Sequence, residues 1–150
     1  MTNPLQQMPC FALYAASRSV SQAYRAVLAD EDLTYPQFLV LVVLASDGES
    51  SVGDLAATML LDSGTLSPLL KRLESRGIVS RERRPGNERT VVVDLTAEGL
   101  RLHEKVAAEV DCLNPAYGFE HMDEVAELLA RLHTITSGMS ELTADLRTTR

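Results

Sequence analysis

Cys10 and Cys112 are the two thiols of the chain, and Tyr14, Tyr24 and Tyr35 are three of its four tyrosines. Cys10 follows a proline and opens the amphipathic run PCFALYAASRSV, residues 9–20. A thiol reacts as its thiolate, so its rate with a peroxide depends on ionisation and access. The N–H groups at a helix start favour an anion there. Phenolic O–H groups can donate to a thiolate and favour its charged form. Peroxide would give a sulfenic acid, which condenses with a second thiol, and Cys112 is the only other one in the sequence. Free cysteine is also a common packing residue, and tyrosines are common core or interface aromatics. The residues alone leave both readings open.

A second chemistry lies between residues 71 and 89. Lys71, Arg72, Arg76, Arg81, Arg83, Arg84 and Arg89 stand there against Glu74, Glu82 and Glu88, a local +4 in a chain of net charge −7. Local charge within a Debye length decides whether a surface grips phosphate, so an acidic body does not exclude a nucleic-acid partner. Just before the stripe, SGTLSPLLKR places Ser63, Thr65, Ser67 and Pro68 at the head of a helix and Lys71 and Arg72 along its flank. Short polar groups at a helix head suit base edges or phosphates, Thr65 and Pro68 suit a thymine methyl, and the cations suit phosphate. Arg81, Arg83, Arg84 and Arg89 on a hairpin suit backbone contact and a narrow minor groove. The plainer alternative is a solvated helix and hairpin.

The elements that must position these groups follow from periodicity. Pro9 suits a first helical turn, and that helix runs to about Leu28. Thr34 with Gln37 is a capping-box pattern, followed by Phe38, Leu41, Val42 and Ala45 on one face. Ser51 with Asp54 starts a short helix with Val52, Leu55, Ala56 and Met59 at helical spacing. Asp62 or Ser63 caps the next, whose stripe is Leu66, Leu69, Leu70 and Leu73. Pro68 is tolerable inside it only because it lies near the start. Gly77 is placed to end it in a left-handed conformation, with Leu73 and Ile78 in contact. From residue 78 the period becomes two: IVSRERR and RTVVVDL flank Pro85-Gly86-Asn87-Glu88, a hairpin turn. Thr96 caps a helix to about Cys112, and a last helix covers roughly 120–147. Its apolar residues, Val125, Leu128, Leu132, Ile135, Met139, Leu142 and Leu146, step by three and four, a coiled-coil-like seam that needs a partner, which the N-terminal helix could supply within the chain and a second subunit could add to. The expected fold is mainly α with a β-hairpin wing: a winged helix-turn-helix over 34–96 in an intertwined homodimer, with 8–33 and 97–147 as dimerisation helices in one 1–150 domain.

The stretches CFALYAASR, LTYPQ and LDSGTLSPLLKRLE carry a resemblance. The chain is similar to the multiple antibiotic resistance regulator (MarR) family of dimeric repressors over about residues 8–112, and within it to the organic hydroperoxide resistance regulators. The resemblance implies a homodimer on a pseudo-palindromic double-stranded DNA operator. The helix at 63–76 would lie in the major groove and Arg89 in the minor groove. It implies that Cys10 is the redox-sensing cysteine, that Tyr24 and Tyr35 of the other subunit hold its thiolate, with Tyr14 a further pocket residue, and that Cys112 of the other subunit resolves the sulfenic acid. An organic hydroperoxide is then the inducer. The family's wing usually has Asp two residues before the arginine; here Asn87 stands, so the carboxylate that would orient Arg89 is missing.

Other classes fit less well. A MarR-type repressor released by a small phenolic or acidic ligand is the nearest rival. A thiol peroxidase would need the β-α-β pattern of a thioredoxin-like fold, which is not present, and a non-DNA winged-helix module would show no salt-dependent binding to duplex. His103, His121 and His133 are spaced by 18 and 12 residues with no acidic-cysteine cluster, so no metal and no cofactor is expected. No apolar run is long enough for a membrane span, no secretory signal is visible, and two distant cysteines suggest a reducing, cytoplasmic home; the regulator reading implies a non-enzymatic protein.

Overall fold

The structure is a computed structural model that describes residues 4–84 and 87–149. The chain divides into two compact units, one ending at Leu113 and the other beginning at Asn114.

The first unit begins with a short 3-10 turn, Pro4–Gln7, and then α1, Pro9–Val27. Pro9 takes the first helical position, and the N-cap, Met8, makes no side-chain cap. α1 closes through a 3-10 turn, Leu28–Glu31, followed by Asp32 at φ 48° and ψ 42°. The Asp32 N–H donates to the Ala29 carbonyl at 3.1 Å and the Leu33 N–H to the Leu28 carbonyl at 3.2 Å. Leu28 and Leu33 are buried under this turn, which is a Schellman closure with an aspartate in the left-handed place.

α2, Tyr35–Asp47, starts with the expected capping box: the Thr34 hydroxyl accepts from the Gln37 N–H and the Gln37 side chain accepts from the Thr34 N–H. Phe38 and Leu41 are buried as the spacing suggests, but Val42 is exposed, and Val40 and Leu44 fill the core instead. The helix is covered on more than one side, so a single stripe under-reads it. It is followed by α3, Val52–Thr58, capped by Ser51, and by α4, Ser63–Ser75, capped by Asp62. Leu60, in the turn between them, is exposed and sits at φ 54°. α4 buries Leu66, Leu70 and Leu73. It ends as expected: the Gly77 N–H donates to the Glu74 carbonyl at 2.9 Å, the Ile78 N–H to the Leu73 carbonyl at 3.0 Å, and Gly77 has φ 70°.

The wing is β2, Val79–Arg84, antiparallel to β3, Asn87–Leu95. β3 already begins at Asn87, so Asn87 and Glu88 belong to the strand rather than to the turn, and Pro85 and Gly86 lie outside the described residues. A third strand, β1 at Ser50–Ser51, pairs with Val92 and Val93 and gives the order β1-β3-β2. β3 is therefore the middle strand, and consecutive Val92 and Val93 are both buried, where alternation along the hairpin placed Val91, Val93 and Leu95 inside. α5, Ala97–Val110, is capped by Thr96, stops two residues before Cys112, and packs on α2.

The second unit holds α6, Met122–Thr148, close to the expected span. None of its residues is buried, and Leu128, Leu129, Ile135, Met139, Leu142 and Leu146 are exposed. No described helix is long and apolar enough to cross a membrane.

Candidate DNA-reading face and thiol site

α4 presents one face to the core and the other outward, because its leucines recur at helical spacing. Ser63, Thr65, Pro68, Lys71 and Arg72 are exposed and Ser67 is half-buried. The helix continues through Pro68. The Asp62 carboxylate accepts from the Thr65 N–H and from the Thr65 hydroxyl, both at 2.8 Å. The Thr65 hydroxyl is the first reason, and the backbone bonds the second, that the Asp62 carboxyl is held below the usual carboxylate range. The Thr65 hydroxyl thus serves the cap.

The wing arginines divide by partner. Arg81 points back at the helix: its Nη1 lies 3.6 Å from Glu74 Oε2, and its side chain is three-quarters covered. Arg83 is exposed and makes no ion pair among the described residues. Arg84 and Arg89 are strand residues whose side chains lie outside the described set. Lys71 and Arg72 likewise make no ion pair among the described residues, so with Arg83 they present uncompensated charge around one helix. Sequence reasoning passed over Arg76 as one more outward cation. It is the C-cap of α4, and its guanidinium donates to the backbone carbonyls of Glu31 and Asp32, each at 2.7 Å. Its only signal in the sequence is a cation off the apolar stripe, because its partners stand 44 and 45 residues away.

Cys10 occupies the second position of α1, exposed and above a helix start that no side chain caps. Pro9 has no N–H, and the Phe11 and Ala12 N–H groups both donate to the Met8 carbonyl, at 3.0 and 3.1 Å, so what favours an approaching anion beside Cys10 is the positive end of the helix. Cys112 is exposed in the 3-10 stretch Asp111–Tyr117, and both cysteines are free thiols. Tyr24 and Tyr35 come together with ring centroids 4.5 Å apart, and Phe38 lies 5.9 Å from Tyr24. They do not meet Cys10 within this chain. α1 is unbroken from Pro9 to Val27, so Tyr24, 14 residues beyond Cys10, is about 21 Å further along the helix. Tyr14, one turn from Cys10, is exposed, 6.2 Å from the Phe11 ring, and its hydroxyl accepts from Arg18 Nη1 at 3.3 Å. Among the described residues no group of His, Cys, Asp and Glu could hold a metal.

A helix-turn-helix with a basic outer helix and a three-stranded wing defines a winged-helix DNA-binding regulator. The chain belongs to the MarR family: the family profile matches residues 33–91, and full-length relatives match nearly the whole chain. It is 43% identical to the HTH-type transcriptional regulator TtmR of Methylorubrum extorquens (strain PA1), over 93% of this chain and 70% of that one. It is 35% identical to the organic hydroperoxide resistance transcriptional regulator of Bacillus subtilis (strain 168), over 87% of this chain and 88% of that one. AbfR of Staphylococcus epidermidis superposes with a TM-score of 0.77 at 31% identity, covering 88% and 90% of the two chains. AbfR solved reduced and bound to DNA gives 0.78, and in its disulfide-formed state 0.62, at 32% and 29% identity and covering 87% and 89% of this chain, 90% and 88% of AbfR. The protein is a DNA-binding transcriptional regulator and not an enzyme.

Proposed function

We propose that the protein is a homodimeric, cytoplasmic repressor that leaves its operator when an organic hydroperoxide oxidises Cys10. The observation that carries this reading is the split site: an exposed thiol at an uncapped helix start, and a ring pair made by Tyr24, about 21 Å further along the same helix, and Tyr35 at the start of α2. One chain cannot close that pocket, whereas a second copy laid across it supplies Tyr24 and Tyr35 to its partner's Cys10. The likeness to the Bacillus organic hydroperoxide regulator supports the inducer class. α1 and α6 bury no residue of their own, which supports helices 8–33 and 97–147 as the dimer contacts of a single domain whose 34–96 segment reads DNA.

The chemistry balances with the peroxide as sole oxidant. The Cys10 thiolate attacks the terminal peroxide oxygen; an S–O bond forms, the O–O bond breaks, and the alkoxide leaves as an alcohol after taking a proton. The Cys112 thiolate of the partner then attacks the sulfenic sulfur; the S–S bond forms, the S–O bond breaks, and the hydroxide leaves as water after taking a proton. The disulfide draws α1 of one chain to the end of the other chain's α5, which directly follows the wing, so the spacing of the two α4 helices shifts away from the one-turn half-site spacing of about 34 Å. On DNA, Ser63, Thr65, Ser67 and Pro68 face bases, and Lys71, Arg72, Arg83, Arg84 and Arg89 face the backbone and minor groove. Arg81 acts through Glu74.

The test is operator binding before and after cumene hydroperoxide, with non-reducing electrophoresis, for wild type, Cys10→Ser and Cys112→Ser. Release and a cross-linked dimer in wild type, neither in Cys10→Ser, and no cross-link in Cys112→Ser are expected. Release of Cys10→Ser by peroxide would overturn the reading.

A further inference from the structure

One side chain joins the C-cap of α4 to the turn that closes α1. Arg76 Nη1 donates to the Asp32 carbonyl and Nη2 to the Glu31 carbonyl, each at 2.7 Å. These two acceptors are what the closing turn of α1 leaves over. Its N–H groups bond back to Ala29 and Leu28, so the Glu31 and Asp32 carbonyls need a partner from elsewhere. They also carry the negative end of the helix, where a cation is favoured. One planar guanidinium satisfies both acceptors at once; an ammonium offers a point charge and no fork. The same turn is held from a second side, because the Glu31 carboxylate is ion-paired with Lys105 of α5. Asp32 stands at φ 48°, a conformation that any residue but glycine adopts at a cost, so the turn is held in a defined shape.

We propose that Arg76 is a positioning residue that fixes the angle of the DNA-reading helix by tying its C-terminal end to the turn that closes α1, the helix that carries Cys10 in its first turn. α1 is an unbroken rod of 19 residues, about 28 Å long, and its outer end is clamped to α4 through Arg76. A movement imposed on α1 is therefore passed to α4, and DNA affinity depends on the clamp. The assignment rests on the DNA-binding reading and is independent of the peroxide chemistry.

The test uses the full-length reduced protein with Arg76→Lys and Arg76→Gln, and a duplex that wild type selects from a random-sequence pool. Fluorescence anisotropy over a sodium chloride series gives affinity and salt slope, and thermal unfolding confirms that each variant is folded at the assay temperature. Both substitutions are expected to weaken binding at least about five-fold at every salt concentration, the range of an ordinary coupling between sites, with the slope unchanged. If Arg76→Gln does not fold, Arg76→Lys decides alone, since it keeps the charge and loses only the fork. Wild-type affinity in Arg76→Lys would overturn the proposal, as would a slope shallower by about one per chain, which marks a phosphate contact. A lowered Tm with unchanged affinity would reduce Arg76 to a helix cap and overturn it too. No peroxide enters the assay, so failure of the redox reading cannot be confused with failure of this one.

Discussion

A chain of net charge −7 that binds DNA must do so through a few well-placed cations, and their number sets a measurable slope. Lys71, Arg72 and Arg83 surround α4 and make no ion pair among the described residues. Those three per chain give about six neutralised phosphates in a two-fold dimer, and at about −0.9 per phosphate log K falls against log salt with a slope of about −5.4, steeper still with what Arg84 and Arg89 add. Raising salt from about 50 to about 200 mM then weakens binding roughly a thousand-fold. Lys71→Ala removes about two of those contacts per dimer and makes the slope shallower by about 1.8. Arg81→Ala is the internal control: its guanidinium is turned to Glu74 at 3.6 Å, so its loss leaves the slope where it was. The assay is anisotropy of a labelled duplex that the protein has itself selected, read across a sodium chloride series. A wild-type slope shallower than about −2, or an Arg81→Ala slope equal to that of Lys71→Ala, would refute the division of cations into outward and inward ones.

Gly99 is held against the wing: a Cβ there would lie 2.0 Å from the Ile78 carbonyl oxygen and 3.1 Å from its carbon. Gly99→Ala should destabilise by about 3 kcal/mol and lower Tm by roughly 6–12 °C; a fall under about 2 °C would show that the backbone gives way freely. Leu60 is 78% exposed at φ 54°, so Leu60→Gly relieves strain while losing no packing. It should raise unfolding free energy by about 0.5–1 kcal/mol, after the added freedom of glycine in the unfolded chain is counted. A loss in urea unfolding would mean that the leucine makes a contact of value elsewhere. The Asp62 carboxyl is lowered in the folded chain by Thr65. Its stabilisation is present above the unfolded carboxylate value of about 4 and is lost as pH falls through the still lower folded value. Wild type should therefore exceed Asp62→Asn in Tm near neutrality, with the gap closing on acidification below about pH 4; a gap independent of pH would contradict the charged cap.

The sequence by itself determined the local elements and their order. Thr34 with Gln37, Ser51, Asp62, Thr96 and Gly77 act within a few residues of themselves, so their caps and turns can be read before any tertiary contact is known. The leucine stripe of α4 and the outward Lys71 and Arg72 follow from helical spacing for the same reason. The family, and with it the winged helix, was legible in CFALYAASR and LDSGTLSPLLKRLE. Tertiary structure decided what depends on residues far apart in the chain. The two-residue strand at Ser50–Ser51 exists only because Val92 and Val93 offer it a ladder, and that same pairing buries neighbouring valines that simple alternation would separate. Whether an arginine faces outward or inward is settled by what lies opposite it: Glu74 for Arg81, and the carbonyls of Glu31 and Asp32 for Arg76. The separation of Cys10 from the Tyr24–Tyr35 pair likewise comes from α1 being one rigid helix, a fact that turns nearness in sequence into distance in space.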